Sequence, residues 1–569
     1  MSVPKVSCAL MTASLILPAL PASAQALPSP TPELIRRQER EKDLREQQER
    51  APDVRLESPV VEVEQPLPKG ETPCFPIYEI RLQGEASEHF QWALAALDKP
   101  DDPAIGQCLG TIAINRIMGR LQNRIIARGF VTSRVLAEPQ DLSSGILYLT
   151  LLPGRVRAIT TPGGDFSRAR LEPALPTRQG ALLNLRDIEQ GLENLKRVPS
   201  ASADIQIAPT DSRGAQPGDS DLIVTWRQDH LLRLNLTLDD SGTKATGRFL
   251  GGMTVSLDNA LGLSDLLYLS LNHGLGGGRS GQRGAHGHTV HYSVPLGYWL
   301  ASLTAGQHRY HQAIAGATQT YRYSGTSENA EGRLARIVHR DAQSKTSTWV
   351  KAWMRRSDNF INDTEVLVQR RRMGGWEAGL SHRHFLGAAI VDASYSYRRG
   401  TGAFGSTPAP EEAFGEGSAK PGLHMMDLHL NHPFPLGTHS LRYSTQVRFQ
   451  RSESPLVPQD RFAIGGRYTV RGFDGENLLS GEHGWLWRNE LAARTGHAGL
   501  ESYLGVDIGG VSGRSSRHLL GQRLAGAVLG LRSNIGNLAW DVFVGHALHH
   551  PKGFAPVGTV AGFSLNWGW

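Results

Sequence analysis

The chain has 569 residues and a formal net charge of +6, and its mean hydropathy is −0.30. This length allows about three or four units of ordinary domain size. Basic residues are spread along the chain without an arginine-rich patch, which argues against nucleic-acid binding. No segment is a continuous apolar run long enough for a membrane helix, which excludes a helical membrane protein but not one that crosses with alternating strands.

Residues 1–24 have the pattern of a secretory signal peptide. Lys5 forms a thin basic region, residues 9–20 form an apolar core, and Ala22, Ser23 and Ala24 form a small-residue cleavage site. The alternative is a membrane anchor, but an anchor needs an apolar run of about 20 residues and this run is shorter. The mature chain is therefore expected to be exported.

The chain has three cysteines, of which Cys8 lies in the signal peptide. An isolated pair in an oxidising compartment predicts one disulfide between Cys74 and Cys108, with two free core thiols as the alternative. Neither cysteine has the spacing of a metal or redox site.

Residues 25–50 are predicted to form an N-terminal helix and residues 51–73 a linker. Thr31 and Pro32 fit an N-cap and a first helical residue, and charges of both signs follow at helical spacing. Because this helix is polar on every side, two interpretations stay open, a solvated tail or a plug in a water-filled lumen. The linker is rich in proline and acidic residues, which favours an extended segment with no buried core.

Residues 74–153 and 154–228 are predicted to form two tandem α/β modules with the order strand, helix, helix, strand, strand. The first module is expected to have strands at 78–82, 131–136 and 146–152 and helices at 90–97 and 114–126. The second is expected to have strands at 156–160, 203–207 and 222–226, a short helix at 168–175, and a longer helix that Asn184 would cap. Each module is small, but chains of about 60 residues can fold alone.

Residues 229–569 alternate apolar and polar side chains with period two, which predicts an all-β domain. At the C-terminus the side chains on one face are Phe563, Leu565, Trp567 and Trp569. In a membrane barrel such rings face lipid at the interface, whereas in a soluble sandwich they would need a core. Together with the signal peptide this favours a transmembrane antiparallel β-barrel, and about 20 residues per strand and turn give about 16 strands.

The most specific motif is RFAIGGRYTVRGFDGE, centred on Val470, Arg471, Gly472 and Phe473. With this motif the chain resembles the TpsB transporters of two-partner secretion, within the superfamily of outer-membrane barrels that carry POTRA domains. The resemblance extends over nearly all of the mature chain, including CFPIYEIRLQG in the first module and LNLRDIEQGLENL in the second. It implies that both modules are POTRA domains. It also implies that the VRGF segment folds back into the lumen from the sixth extracellular loop, where its arginine meets an inward-facing aspartate.

The residues offer a partner for that arginine independently. In YLGVDIGGV the lipid-facing parity is shared by Leu504, Val506 and Ile508. Asp507 is therefore expected to face inward, where Arg471 can bind it through two hydrogen bonds. The alternative is a surface arginine in a glycine turn and an aspartate bathed in water. Arg488 and Glu490, on one face of WLWRNELA, are expected to be further charges in the lumen. Such charges are more often structural than functional.

Other candidate sites find little support. Residues 274–288, GLGGGRSGQRGAHGH, lack the Lys-Ser/Thr ending of a phosphate-binding loop and are interpreted as a flexible hairpin loop. His286 and His288 could meet a metal on one strand face, but without a third ligand a position at the loop edge is favoured. No nucleophile elbow or triad spacing appears. We therefore expect no enzyme activity, no cofactor and no metal site.

The resemblance implies a pore that recognises an unfolded secreted partner through periplasmic POTRA domains and exports it across the outer membrane without nucleotide hydrolysis. The partner would be a large β-helical exoprotein, such as a TpsA-type adhesin, a haemolysin or a contact-dependent toxin. An exposed sheet edge can bind an extended polypeptide. The expected edge comprises Ala203, Asp204, Ile205, Gln206 and Ile207. The protein is further expected to contact outer-membrane lipids, to bind no nucleic acid and to be a monomer.

Two alternatives remain at this point. A barrel-assembly factor would share the POTRA domains and the VRGF loop, but the resemblance leads one to expect more POTRA repeats and no lumen helix. A plain porin would need neither periplasmic modules nor that loop.

Overall fold

The structure is a computed structural model that describes residues 31–49, 52–56, 65–161, 170–210, 214–278, 282–495, 499–554 and 558–569. The predicted signal peptide lies outside the described residues. The α-helices are α1 (Thr31–Gln48), α2 (Thr111–Ala127), α3 (Leu171–Ala174) and α4 (Leu185–Leu195). None of these described helices is both long enough and apolar enough to cross a bilayer.

The first module is built on a three-stranded sheet covered by α2. Its strands are β1 (Phe75–Ile77), β2 (Glu79–Gln83), β3 (Gln107–Leu109), β4 (Arg134–Leu136) and β5 (Ile146–Leu152). The sheet order is β2-β5-β4, with β2 and β5 parallel, and β1 pairs separately with β3. Apolar side chains at helical spacing, Ile117, Leu121 and Ile125, bury one face of α2 completely.

The first module differs from the predicted order in three places. The first predicted helix is a 3₁₀ helix, Gln91–Leu97, and the strand predicted from residue 131 begins only at Arg134. The short strands β1 and β3 were not predicted. They pair across the bridge between Cys74 and Cys108, whose Cα atoms lie 5.3 Å apart, so the predicted disulfide is confirmed.

The prediction that the linker has no buried core was wrong in its described parts. Leu67 is buried in the core of the first module. Glu71 caps the amino end of α2, because its carboxylate accepts hydrogen bonds from the backbone N–H groups of Ile112 at 2.9 Å and Ala113 at 3.0 Å. The linker thus ends as an integral part of the module.

The second module repeats the α/β plan. Its strands are β6 (Val156–Thr160), β7 (Ala201–Pro209) and β8 (Ser220–Gln228), in the order β6-β8-β7. The Asn184 side chain accepts a hydrogen bond from the Arg186 N–H at 2.8 Å and so caps α4, as predicted. Among the described strands β7 pairs only with β8, which places it at an edge of the sheet.

Sixteen long antiparallel strands form a closed barrel. They are β9 (Leu232–Asp239), β10 (Phe249–Asp258), β11 (Leu266–Gly276), β12 (Arg283–Leu296), β13 (Trp299–Ala315), β14 (Thr320–Arg340), β15 (Ser344–Ile361), β17 (Arg371–Leu386), β18 (Ala389–Thr401), β19 (Gly422–Leu436), β20 (His439–Ser452), β23 (His483–Arg494), β24 (Glu501–Ser512), β25 (Arg523–Ile535), β26 (Leu538–His549) and β27 (Thr559–Gly568). Three short strands, β16 (Thr364–Glu365), β21 (Phe462–Ile464) and β22 (Leu479–Gly481), lie in the connections. The strand number matches the prediction.

Pairing of β27 with β9 closes the barrel and leaves no free sheet edge in its wall. The C-terminal residue takes part in the closure, because Leu234 and Trp569 exchange two backbone hydrogen bonds of 2.8 Å. Since β8 leads directly into β9, the two modules lie at the end of the barrel where β9 begins. We call this the periplasmic end and the opposite end the extracellular end.

Candidate functional site: the occupied lumen

The connection between β20 and β23, residues 453–482, is the sixth at the extracellular end, and it folds into the barrel. It carries β21 and β22, which pair with each other. Val470 and Phe473 are buried at 0% and 5% exposure in an apolar cluster between this loop and the wall. Full burial of one such side chain stabilises by about 1.5–3 kcal/mol, so the loop has an apolar anchor of its own.

Arg471 and Asp507 form a buried bidentate pair at the loop tip. Arg471 donates from Nε to Asp507 Oδ2 at 2.7 Å and from Nη2 to Oδ1 at 2.9 Å. The Arg471 backbone N–H also donates to Oδ2, at 3.0 Å. The side chains of Arg471 and Asp507 are 9% and 0% exposed. Arg488 stands next to the pair, with Nε 3.9 Å from Asp507.

A second carboxylate extends this pair into a network on the inner wall. Glu490 accepts hydrogen bonds of 2.7 Å from both Arg471 Nη1 and Arg532 Nη2. Arg532 also donates from Nε to Glu501 at 2.5 Å. Arg532 was not predicted from the sequence, although its inward position on β25, in register with Glu501, indicates a further lumen charge.

Three glycines on the inner wall leave room for the loop. A Cβ at Gly526 would overlap the Arg471 carbonyl oxygen, one at Gly505 would overlap the Arg471 guanidinium, and one at Gly545 would press on Gly472. Gly472 itself has a φ of 101°, which other residues rarely adopt. The wall glycines were not predicted from the sequence, although they occupy inward positions on the successive strands β24, β25 and β26.

Helix α1 crosses the lumen from one end of the barrel to the other. Near its start Glu33 accepts a hydrogen bond from Thr246 at 2.9 Å, close to the extracellular end of β10. At its far end Gln48 accepts one from Ser256 at 3.2 Å, close to the periplasmic end of the same strand. Eighteen residues give a helix of about 27 Å, close to the thickness of a bilayer's hydrocarbon core, about 30 Å.

Polar contacts hold α1 against the wall and the loop. Arg37 donates to Asn329 at 2.8 Å, and Glu39 pairs with Arg448 at 2.9 Å. Arg36 reaches the loop, where its Nη2 donates to the Asp474 carbonyl at 2.9 Å. The helix and the VRGF loop therefore fill the lumen as neighbours in contact.

Comparison with known proteins identifies the architecture. Residues 218–533 match the family described as haemolysin secretion/activation protein ShlB/FhaC/HecB. Residues 75–154 match the ShlB-type POTRA domain, and residues 155–209 match a POTRA domain. The chain belongs to this secretion/activation family.

Individual proteins similar to this chain agree with the family assignment. The outer membrane transporter CdiB-2 of Burkholderia pseudomallei is 36% identical over 93% of this chain and 92% of its own length. The outer membrane transporter CdiB of Dickeya dadantii is 30% identical over 87% of this chain and 86% of its own. The solved structure of CdiB from Acinetobacter baumannii has a TM-score of 0.86 at 32% identity and covers 95% of this chain and 100% of its own.

These matches also give the cellular location of the protein. The barrel lies in the outer membrane, and the two modules are POTRA domains that lie in the periplasm. The matches support a two-partner secretion transporter over a barrel-assembly factor.

In this family member the segment after α1 is clamped between the second POTRA domain and the barrel. Glu189 and Glu193 of α4 accept hydrogen bonds from the backbone N–H groups of Leu56 at 2.9 Å and Val54 at 3.2 Å. Arg340, at the periplasmic end of β14, donates to the Val54 carbonyl at 2.7 Å. It also forms ion pairs of 3.1 Å with Glu189 and 3.0 Å with Glu193, and all three charged side chains are buried.

Two more contacts join the same surfaces. Asp53 binds Arg383 at 2.6 Å and Lys345 at 3.4 Å. Burial alone would raise the pKa of Asp53, but these two cations hold it below its usual value. Asp187 of α4 accepts a hydrogen bond from the Tyr298 hydroxyl at 2.6 Å, and burial nevertheless raises the pKa of Asp187. The junction is thus polar but largely withdrawn from water.

The five predicted edge residues all lie in β7. Ala203 and Ile205 point into the core of the second POTRA domain, with exposures of 8% and 5%. Asp204 and Gln206 are exposed on the other face, and Ile207 is half-buried.

The prediction of a flexible hairpin loop over residues 274–288 was wrong for most of the segment. Residues 274–276 end β11 and residues 283–288 begin β12. His286 and His288 therefore lie within a strand, not at a loop edge, and both side chains are exposed on the outer face of the barrel. Within the described parts of the chain, no group of three or more His, Cys, Asp or Glu side chains is arranged to hold a metal.

Proposed function

We propose that this protein exports a large unfolded exoprotein through the barrel and that α1 and the VRGF loop obstruct the pore at rest. The observation that supports the proposal is the way in which α1 and the VRGF loop fill the lumen. Both obstructing elements meet the wall through side chains, and the wall is complete without them because its backbone hydrogen bonds close from β27 to β9. Each element can leave without opening the barrel.

We assign one role to each of the predicted segments. Residues 1–24 direct export, residues 25–50 form the plug, and residues 51–73 link it to the POTRA domains at 74–153 and 154–228. The barrel at 229–569 is the pore, embedded in outer-membrane lipid as a monomer. Transport needs no nucleotide, because folding of the partner outside the cell supplies directionality. The partner is a large exoprotein of the adhesin, haemolysin or contact-dependent toxin type.

Strand β7 of the second POTRA domain is our proposed capture site for the partner. An edge strand presents unpaired backbone N–H and C=O groups, to which an extended polypeptide can add as a further strand. The alternating exposure of Asp204 and Gln206 offers side-chain contacts beside that edge. The core-facing residues Ala203 and Ile205 pack the strand against α4.

A crosslinking experiment tests capture and export together. A candidate exoprotein of the adhesin, haemolysin or contact-dependent toxin type is co-expressed with a Gln206→Cys variant, and adducts to the partner are sought with a short thiol-reactive crosslinker. Thr160→Cys is the matched control, because Thr160 is an exposed residue on β6 at the opposite edge of the same sheet. Partner in the medium, with adducts only at residue 206, is the expected result.

Other outcomes would contradict particular parts of the proposal. Adducts only at residue 160 would move the capture site to β6. Partner that remains in the periplasm of cells with the wild-type barrel would rule out export of that exoprotein.

A further inference from the structure

The outer face of the barrel carries several basic side chains near the extracellular ends of β11 to β14. On β12 the outward side chains run from Val290 to His288 and His286, and on β13 they run from Leu303 to Arg309 and His311. Apolar side chains that face outward mark the lipid-covered band. The basic residues therefore begin where the hydrocarbon of the outer leaflet ends.

Five of these residues form what we call the basic cluster: His273, His286, Arg309, His311 and Arg322. The strand register places His286 directly opposite both His273 and Arg309. The rings of His273 and His286 are 6.3 Å apart between centroids. His311 is the next outward residue after Arg309 on β13, and Arg322 lies on the neighbouring strand β14, opposite Ala313.

The basic cluster has no internal counter-charge. No carboxylate of the described residues lies within ion-pair distance of any of its five members. Two outward carboxylates lie near the cluster but have other partners: Glu328 accepts a hydrogen bond from Gln307 at 2.8 Å, and Asp358, in the same register row as Arg309, pairs with Arg372 at 2.7 Å. Arg309 and Arg322 carry permanent positive charges, and protonation of the histidines beside them is opposed by like charge unless an anion joins the group.

Other outward basic side chains lie near the extracellular ends of β18 and β19, but there Glu453 lies 3.5 Å from Arg399 and 3.1 Å from His424. Across the seam of β27, β9 and β10, outward residues near the extracellular end include Thr559, Leu238 and Phe249, which carry no charge. On β25 Arg523 is exposed at the same end, and its partner in the register with β24 is Gly510. The basic cluster therefore differs from the group around Glu453, because it combines basic side chains in register with no carboxylate among them, which leaves it open to an anion from outside.

We propose that the basic cluster binds the phosphate groups of lipopolysaccharide in the outer leaflet. The ligand must be anionic, must lie at the lipid–water boundary and must approach from the membrane side, since every member faces outward. Arginine binds phosphate through two parallel hydrogen bonds, and histidines beside it can donate further ones. This site lies outside the pore, so the inference is independent of the proposed function.

The test compares the double variant Arg309→Gln, Arg322→Gln with wild type and with Arg523→Gln as the matched control. Each barrel is purified in mild detergent, checked for folding by heat-modifiable migration, and titrated with purified lipid A while thermal stability is followed. Lipid A should bind about tenfold more weakly to the double variant, because charge-assisted hydrogen bonds are lost. Arg523→Gln should bind as wild type does, and a second pair, His273→Gln with His286→Gln, should repeat the loss.

Three results would overturn the proposal: equal lipid A binding by the double variant and wild type, equal loss in Arg523→Gln, or equal binding of dephosphorylated lipid A. Equal stabilisation by phosphatidylglycerol micelles would reject lipopolysaccharide as the particular occupant. Export of the partner should be unchanged in the double variant. Lost export with lipid A binding retained would mean that the surface serves a protein partner.

Discussion

Replacement of Arg471 by alanine removes the charged contact at the tip of the VRGF loop. Removing one member of a buried ion pair costs about 3–5 kcal/mol, against about 1 kcal/mol or less for an exposed pair. The Arg471 and Asp507 side chains, 9% and 0% exposed, belong to the buried class. Two features reduce the loss: Arg488 is already 3.9 Å from Asp507, and Val470 and Phe473 still anchor the loop. We therefore expect a loop that is displaced, at a cost near the lower end of that range, and export that is abolished or greatly reduced.

The assay is the amount of secreted partner per unit of heat-modifiable barrel in the outer membrane. Barrel assembly should survive, because the wall closes through backbone hydrogen bonds that do not involve Arg471. Arg471→Lys should be nearly as defective as Arg471→Ala, since an ammonium group cannot reproduce the bidentate geometry. The matched control is Arg370→Ala, which breaks a pair with Glu365 in which the arginine is 46% exposed, and it should secrete normally.

Asp507→Ala should reproduce the Arg471→Ala defect, and the double variant should be little worse than either single variant, because the two residues act as one unit. Wild-type secretion from Arg471→Ala would remove the loop tip from the mechanism. Strictly additive defects would refute the functional pairing, whatever the distance between the two side chains.

Three further predictions concern the plug, the disulfide and the junction. Deletion of residues 31–50 should leave a heat-modifiable barrel with raised single-channel conductance in planar bilayers, because α1 fills a wet lumen; unchanged conductance would mean that the loop alone seals the pore. Cys74 and Cys108 should resist alkylation under non-reducing denaturation, where doubly labelled protein would contradict the bridge, which contributes about 3–4 kcal/mol in the chain-entropy model. Arg340→Met should make residues 52–56 more sensitive to limited proteolysis, because the Val54 carbonyl loses its donor and Glu189 and Glu193 each lose one of two cations, at a cost of about 1–3 kcal/mol; a wild-type digestion pattern would argue against the clamp.

The barrel was predictable because its signal is periodic. Alternation with period two fixes both the strand and the face of each side chain, so Leu504 and Asp507 could be assigned opposite sides from the sequence alone. The expectation of an even number of strands narrowed the count to sixteen. The N-cap at Asn184 was predictable for a similar reason, because capping depends on a few adjacent residues.

Features that depend on contacts between distant segments could not be predicted in this way. Composition described residues 51–73 as a free linker, yet Leu67 is drawn into a core built from residues far along the chain. The clamp on Val54 by Arg340 joins residues 286 positions apart, and no local pattern indicates it. The wall glycines share this limitation, because an inward glycine has meaning only once the Arg471 loop is known to lie against it.

The two elements that fill the lumen are held by different kinds of interaction, and this difference orders their release. Helix α1 meets the wall mainly through hydrogen bonds and ion pairs; when the whole helix leaves, both partners of each contact are hydrated again, so the net cost of each contact is modest. The VRGF loop adds the buried side chains Val470 and Phe473, whose exposure to water would cost about 1.5–3 kcal/mol each. The helix is therefore the more weakly held of the two. The segment after α1 is clamped against α4, and α4 packs on β7. The helix is therefore also the obstructing element that is connected more directly to the proposed capture site. We accordingly expect partner binding at the POTRA domain to act first on α1 and only afterwards on the loop.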